Sequence, residues 1–437
     1  MTYFVSPPSR FAGRLRLSFA VICLVFAPVD VIDLLGNIGS FHLTPFLLLS
    51  MLYVLLFAFE QVTKRALGLS PPSHRLFDST SVVVAFFILL IWTSVLFLST
   101  DTQNLAVNRA IYTTWLILFA RLFVAREQLF LPVIIAWALR IFIICDAISV
   151  VIQMIIDLNG WPLPGVVFGL ETSGAKYFFK PSGLVLDANR SSVTLILFMG
   201  LAFLTKVYLK DGKGLGRGYY VLGIILSLIT ISRTGIISLA IFGTIVFIQS
   251  RRKLKVLGVS LMAMIILGGM SLLYLTLTKS LSAFVEQAQL ALYSSEARQG
   301  STSIHFHLLA NGIGEFFGNA KIFLLGAGWG TEYEFTKDFF ADSKYGNFHC
   351  EYVSIAVQTG IAGLACVLFL IAKPLLIGLE WKPLTFIILW SCIFYQYHGD
   401  PFWWIVLMVM STSLASRLRH HRILISASSW SNQMAPP

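Results

Sequence analysis

Thr230-Ile231-Ser232-Arg233-Thr234-Gly235 interrupts an apolar block that runs from residue 219 to residue 250. How this break is read decides the topology of the whole chain. An unbroken block is one long helix, which crosses a bilayer once. A broken block is two short helices that return to the starting side. The flanks choose between them. Lys206, Lys210, Lys213 and Arg217 precede the block, and Arg251, Arg252, Lys253 and Lys255 follow it. Lys and Arg collect in cytoplasmic loops of membrane proteins, so both flanks belong on one side and the number of crossings is even. The block reads as a short hairpin with Arg233 at its far tip.

Composition supports a membrane setting. Of 437 residues, 57% are hydrophobic, 14% aromatic and only 12% charged, and the mean hydropathy is +0.80. Soluble domains carry about 25% charged residues. The net charge of +11 is explained by basic cytoplasmic loops. No basic stripe with interleaved aromatics lies in a soluble region, so no nucleic-acid partner is expected. Cys23, Cys145, Cys350, Cys366 and Cys392 form no CxxC pair and four of them lie in apolar runs. Neither a disulfide framework nor a metal site is expected.

Other apolar runs near the ~20-residue spanning length fall at about 17–35, 42–59, 80–99, 109–125, 129–156, 191–209, 256–277, 349–371, 383–397 and 402–416. With the hairpin they predict an all-α polytopic integral membrane protein of about 12 transmembrane helices. Residues 1–16 are read as a cytoplasmic N-terminus, 17–416 as the transmembrane domain and 417–437 as a cytoplasmic tail. The expected cytoplasmic segments hold 21 of the 32 basic residues, against eight in the outer loops. Those eight are spread over two long loops, about 157–190 and 278–348. The second is large and polar, holding Glu286, Glu296, Arg298, His305, His307, Glu315 and Asp342. A long loop without its own spanning helix is costly to order and is usually functional.

Charges at membrane depth are expensive and usually face a partner or a cavity. Asp30, Asp33, Arg109, Arg140 and Asp146 qualify. Structural pairing between helices is the simpler account, and a transporter pathway is the functional one. Outward-facing cations are the other unusual feature. Lys180, Arg190, Arg233 and Arg298 lie on the side where positive charge is not favoured topologically, and together they suit a phosphate or diphosphate ligand. Taken singly, each could be snorkelling to lipid headgroups. Asp187-Ala188-Asn189 reads as a helix cap. His349 stands at a water–membrane boundary, where it could act as a base. The Gly326/Gly328/Gly330 series has no preceding strand, which excludes a dinucleotide loop.

Four of these stretches, in order, resemble the O-antigen ligase and polymerase superfamily of bacterial cell-envelope glycosyltransferases. Lys180-Pro181-Ser182-Gly183…Asp187-Ala188-Asn189 is similar to its R-x-S-G…D-P-N segment. Thr230-Ile231-Ser232-Arg233-Thr234-Gly235 resembles its T-x-S-R-[TGS]-[GA] signature. Leu324-Leu325-Gly326-Ala327-Gly328 resembles L-x-G-x-G, and His349…Gly360-Ile361-Ala362-Gly363-Leu364 resembles H-[NS]-x-[YFL]…G-[IL]-x-G-L. The similarity covers roughly residues 175–375. Lys180 stands where the family often has Arg, and Cys350 where it has Asn or Ser.

The resemblance implies a GT-C-like fold with a large periplasmic loop, in a bacterial inner membrane with both termini cytoplasmic. It also implies transfer of glycan from an undecaprenyl-diphosphate carrier, without cofactor or metal. Arg233 and His349 would be the catalytic pair. Arg233, Lys180 and Arg190 would hold the diphosphate, with Arg298 or His305 as a further cation. Two registers of the large loop leave that last choice open. Membrane lipids, a chain-length regulator and a flippase are the expected partners. A Wzy-type polysaccharide polymerase is the expected member. A ligase onto lipid A–core and a lipid-linked-glycan flippase are the alternatives.

Overall fold

The computed structural model describes residues 10–29, 37–38, 41–42, 44–66, 78–96, 100–128, 130–159, 170–172, 179–185, 187–208, 216–230, 232–249, 301–336, 347–377 and 382–411. Within them the chain is a helical bundle with two short antiparallel ribbons. In chain order the elements are α1 (Arg10–Phe26), β1 (Asn37–Ile38), β2 (Phe41–His42), α2 (Pro45–Ala66), α3 (Ser79–Leu96), α4 (Thr100–Glu127) and α5 (Leu131–Asn159). Then come β3 (Leu170–Thr172), β4 (Phe179–Pro181), α6 (Ala188–Tyr208), α7 (Arg217–Ile229) and α8 (Arg233–Gln249). The last elements are α9 (Ser301–Gly318), α10 (Ala320–Leu325), α11 (Glu332–Thr336), α12 (Glu351–Ile377), α13 (Lys382–Phe394) and α14 (Pro401–Ser411).

Helices are what an apolar solvent demands, because every backbone N–H and C=O must be satisfied within its own segment. Eleven of the expected apolar runs are helical here, and the run at 256–277 lies outside the described residues. Among the described residues, six helices are long and apolar enough to cross a membrane, and five further apolar helices are shorter. The chain is a multi-pass membrane protein. The first helix differs from the expected 17–35. It starts at Arg10 and stops at Phe26 because Pro28 disfavours helical geometry in the residue before it.

The break at 230–232 is real: α7 ends at Ile229 and α8 begins at Arg233. Ser232 caps α8, its Oγ accepting the Gly235 N–H at 3.0 Å, the N-cap to N3 bond that helix starts favour.

Burial sorts the helices. α14 is buried throughout and α6 almost so, and Phe198 stacks near Phe402 at 4.3 Å between them. In contrast α2 exposes Leu52, Leu55, Phe59 and Val62, a lipid-facing flank. A second, smaller core of Phe316, Ile322, Phe348, Val353 and Val357 lies beneath α9 and α10.

Polar contacts gather at the two ends of the bundle. At one end Arg16 Nε donates to the fully buried Glu127 at 2.9 Å, and Tyr53 donates to the same carboxylate at 2.6 Å. Arg126 pairs with Glu60, Arg121 with Asp78 at 3.1 Å, and Lys373 reaches Ser79 at 3.0 Å. Helix ends that the basic-residue count assigns to one face do meet at one face.

Candidate functional site

The opposite end of the bundle brings together the starts of α6, α8, α12 and α14. Asp187 caps α6, accepting the Arg190 N–H at 2.9 Å, as the sequence indicated. Arg190 Nε donates to Asp400 at 2.8 Å. The other oxygen of Asp400 accepts the N–H groups of Phe402 and Trp403 at 2.8 and 3.3 Å, capping α14. One carboxylate thus fixes two helix starts. Asn189, one residue before Arg190, accepts from Ser232 Oγ at 2.7 Å. That bond seats the backbone of Arg233, the first residue of α8, beside the start of α6. The side chain of Arg233 lies outside the described atoms.

Gly235 makes this seat close. A Cβ there would collide with the Ser192 hydroxyl, so the Ser-Arg-Thr-Gly sequence is first a joint between α6 and α8.

The Lys180-Pro181-Ser182-Gly183 turn is clamped by α5. Gln153 Oε1 accepts the N–H of Ser182 and of Gly183, both at 3.0 Å. Gln153 Nε2 and Ser149 Oγ donate to the Gly183 carbonyl at 2.9 and 3.0 Å. The buried Asp146 accepts the Leu184 N–H at 2.8 Å. Lys180 sits on β4, in register with Glu171 of β3. Of the charges noted at membrane depth, Asp146 therefore has a local partner. Arg140 lies over the rings of Trp137 and Tyr219, at 4.9 and 5.6 Å. Asp30 and Asp33 lie outside the described residues.

His349 is held in the left-handed region, at φ 51°, a conformation costly for most side chains. Its N–H donates to the Asn347 side chain at 2.8 Å. Its ring meets that of His305 edge-on, centroids 4.4 Å apart. Burial, then the neighbouring His305, pull the His349 imidazole down to about 4, against a smaller upward pull from Asp187. A neutral imidazole at physiological pH can accept a proton or a hydrogen bond. His305 thus joins His349 across 44 residues of chain. Arg298 lies outside the described residues.

The turn at 326–330 docks on α12. Gly360, at φ 71° and ψ −173°, breaks that helix from within. The freed carbonyls of Val357 and Gln358 accept the N–H groups of Ala327 and Gly328, at 2.7 and 3.2 Å. The two glycine motifs of the sequence are therefore halves of one joint.

Beside His349 lies a polar network that the sequence did not disclose. Glu351 Oε2 accepts the N–H groups of Tyr397 and His398, at 2.7 and 3.2 Å, and faces His398 Nδ1 at 3.2 Å. Gln396 Nε2 donates to both oxygens of Glu332, at 2.7 and 2.6 Å. Arg109 donates to the Gly330 carbonyl at 2.6 Å. A cavity of about 190 Å³ lies among these groups, also lined by Asn347. The loop that carries Gln396 and His398 begins after Phe394, earlier than the expected end of that run at 397. Its polar Tyr395–Asp400 composition was the available signal.

The family model described as O-Antigen ligase matches residues 218–368. That region includes α7 to α11, His349 and the Gly360 break. No curated protein matches the chain.

Proposed function

We propose, for a chain whose residues 218–368 belong to the O-antigen ligase and polymerase superfamily, that this end of the bundle transfers glycan from a lipid diphosphate. The reaction fits a polysaccharide polymerase of the bacterial inner membrane, with the site periplasmic and both termini cytoplasmic across twelve spans. The growing glycan would leave undecaprenyl diphosphate and pass to the sugar end of the next lipid-linked repeat.

One observation carries the reading. Four helix starts meet at the site, and each directs the positive end of its dipole there. Those of α6, α12 and α14 already face Asp187, Glu351 and Asp400. The start of α8 is capped by the neutral Ser232 and begins with Arg233. An anion placed there meets the first N–H groups of a helix, which have no acceptor within the helix itself, and a guanidinium.

In the transfer, the acceptor hydroxyl oxygen bonds to C1 of the donor sugar as the C1–O bond to phosphate breaks. The electron pair leaves on the diphosphate, where Arg233 offsets the charge. The hydroxyl proton passes to His349, which His305 and Asn347 hold in place, and from there to solvent. Bound diphosphate, being anionic, raises the basicity of His349, so base strength and donor occupancy rise together. Lys180 and Arg298 are proposed to contact the carrier's phosphates. Arg190 would add to the field while remaining tied to Asp400, and His305 to the seat of His349.

The test is a gel of surface polysaccharide from a deletion strain. Single-repeat glycan at the surface is expected for a polymerase. Polymer retained on its carrier identifies a ligase instead, and repeats trapped in the cytoplasm overturn both in favour of a flippase. In the complemented strain Arg233→Ala should abolish polymer at normal protein abundance, and Arg233→Lys should impair it, since Lys lacks the bidentate fork.

A further inference from the structure

The cavity beside His349 differs in chemistry from the diphosphate site. Its volume of about 190 Å³ is over ten times the ~10–15 Å³ that one water needs. Arg109, Tyr112, Trp329, Glu332, Gln396 and His398 are among its walls. Both signs line it: the Glu332 carboxyl group stands against Arg109, with the His398 imidazole beside them. Burial alone would lower His398, but Glu351 and Glu332 together outweigh it, and the imidazole is net raised. Burial raises Glu332, while His398 and the Gln396 amide oppose that rise. A compensated set of charges gives a phosphate nothing that the start of α8 does not give better.

What the walls do offer is planar, oriented hydrogen bonding: a carboxylate, amides, an imidazole and a phenol, with an indole alongside. Such groups match vicinal hydroxyls on an uncharged ring. The walls are also rigid. Glu332 holds Gln396 and Gln358, Trp329 is fixed by N–H bonds to Ser94 and Thr113 at 3.1 and 3.2 Å, and Trp404 donates to the His398 carbonyl at 2.8 Å. Prepared walls lower the ordering cost of binding. Finally, Asn347 lines the cavity and its side chain accepts the His349 N–H at 2.8 Å, which ties the cavity wall to the backbone of His349.

We propose that this cavity is the subsite for one neutral sugar residue of the acceptor glycan, positioned so that a hydroxyl faces His349. The assignment rests on the glycan-transfer reading above. It makes Glu332, Gln396 and Tyr112 determinants of which acceptor is used.

The test uses the full chain in lipid nanodiscs and saturation-transfer NMR with a panel of neutral methyl glycosides: glucoside, galactoside, mannoside, rhamnoside and N-acetylglucosaminide. At least one should give signal, reduced fivefold or more by Glu332→Gln and at least twofold by Tyr112→Phe. The signal should persist in Arg233→Ala and in excess inorganic pyrophosphate. Absence of signal from every glycoside overturns the proposal, as does signal unchanged in both cavity variants. Displacement by pyrophosphate overturns it too, by making the cavity an anion site. Tyr112→Phe keeps the ring and decides alone where Glu332→Gln is not monodisperse. The outcome is separable from that of the transfer reading. Glycoside binding with full polymer in Arg233→Ala defeats the Arg233 chemistry, whereas lost polymer in Arg233→Ala without glycoside binding defeats the subsite.

Discussion

Gly360→Ala tests the joint on which the site is assembled. In the native chain Gly360 takes φ 71° and ψ −173°, a region that only glycine occupies readily. Alanine has two routes. It can keep this conformation, at a cost of about 1–3 kcal/mol, with its Cβ 2.5 Å from the Leu324 carbonyl oxygen. It can instead take helical angles, in which case the carbonyls of Val357 and Gln358 return to the helix ladder. Ala327 and Gly328 then lose their acceptors, and each net hydrogen bond lost costs about 0.5–1.5 kcal/mol. Both routes converge on a loss of about 1–3 kcal/mol from these terms.

The damage is also directional. Trp329 lies within the docked turn and forms one wall of the cavity, so polymer should fall further than protein abundance does. The assay is thermal unfolding of detergent-purified protein followed by size exclusion, with surface polymer scored in the complemented strain. Gly243→Ala is the internal control. It lies within α8, a Cβ there meets nothing within 4 Å, and alanine should gain stability by about 1 kcal/mol. Wild-type unfolding and polymer in Gly360→Ala would falsify the joint, as would equal losses in the two variants.

Three further expectations follow from the site. Gly235→Ala should reduce activity and abundance by forcing α8 away from Ser192, and Ser192→Gly should restore both, because the collision involves the serine Cβ as well as its hydroxyl. Asp400→Ala should destabilise more than Asp400→Asn. Both leave Arg190 without its carboxylate, toward the lower end of about 3–5 kcal/mol for a broken buried pair, but Asn can still cap α14, worth about 1 kcal/mol; paired unfolding curves decide this. The pH dependence has a definite sign. His349 is held neutral down to about 4 in the free protein, so the acid limb of kcat/KM should lie near that pH. Donor diphosphate favours the imidazolium, so the acid limb of kcat should lie higher, and coincident limbs in reconstituted transfer assays would remove His349 as the base.

Some of this was readable from sequence because it depends on short-range chemistry. The hairpin break followed from polar residues within an apolar block and from the charge of its flanks. The Asp187 cap followed from its place before an apolar run. The end of α1 was also readable, at Pro28, but apolarity alone carried the expected helix past it to 35. The motif stretches were visible too, yet their shared surroundings were not. Gly326 and Gly360 look like two separate turns until α12 opens and one fills the other. Ser232 and Gly235 look like neighbours of an arginine until α6 is placed against them.

The residues that sequence left out share a physical reason. Glu332, Glu351, Gln396 and His398 come from three separate segments, and no spacing rule relates them. Each has a bland reading in isolation: an acid in a polar loop, an acid opening a helix, an amide and a histidine between two apolar runs. Only closure of the bundle turns them into a buried network, in which an unpaired carboxylate would be too costly to keep. Oε1 of Glu351 is buried without a hydrogen-bond partner among the described residues, while Oε2 takes the N–H groups of Tyr397 and His398. A glycan-transfer site has to handle an anion that leaves and a neutral ring that arrives. In the proposed transfer, the start of α8 would take the anion that leaves, and the cavity lined by Glu332, Gln396 and His398 would take the neutral ring that arrives.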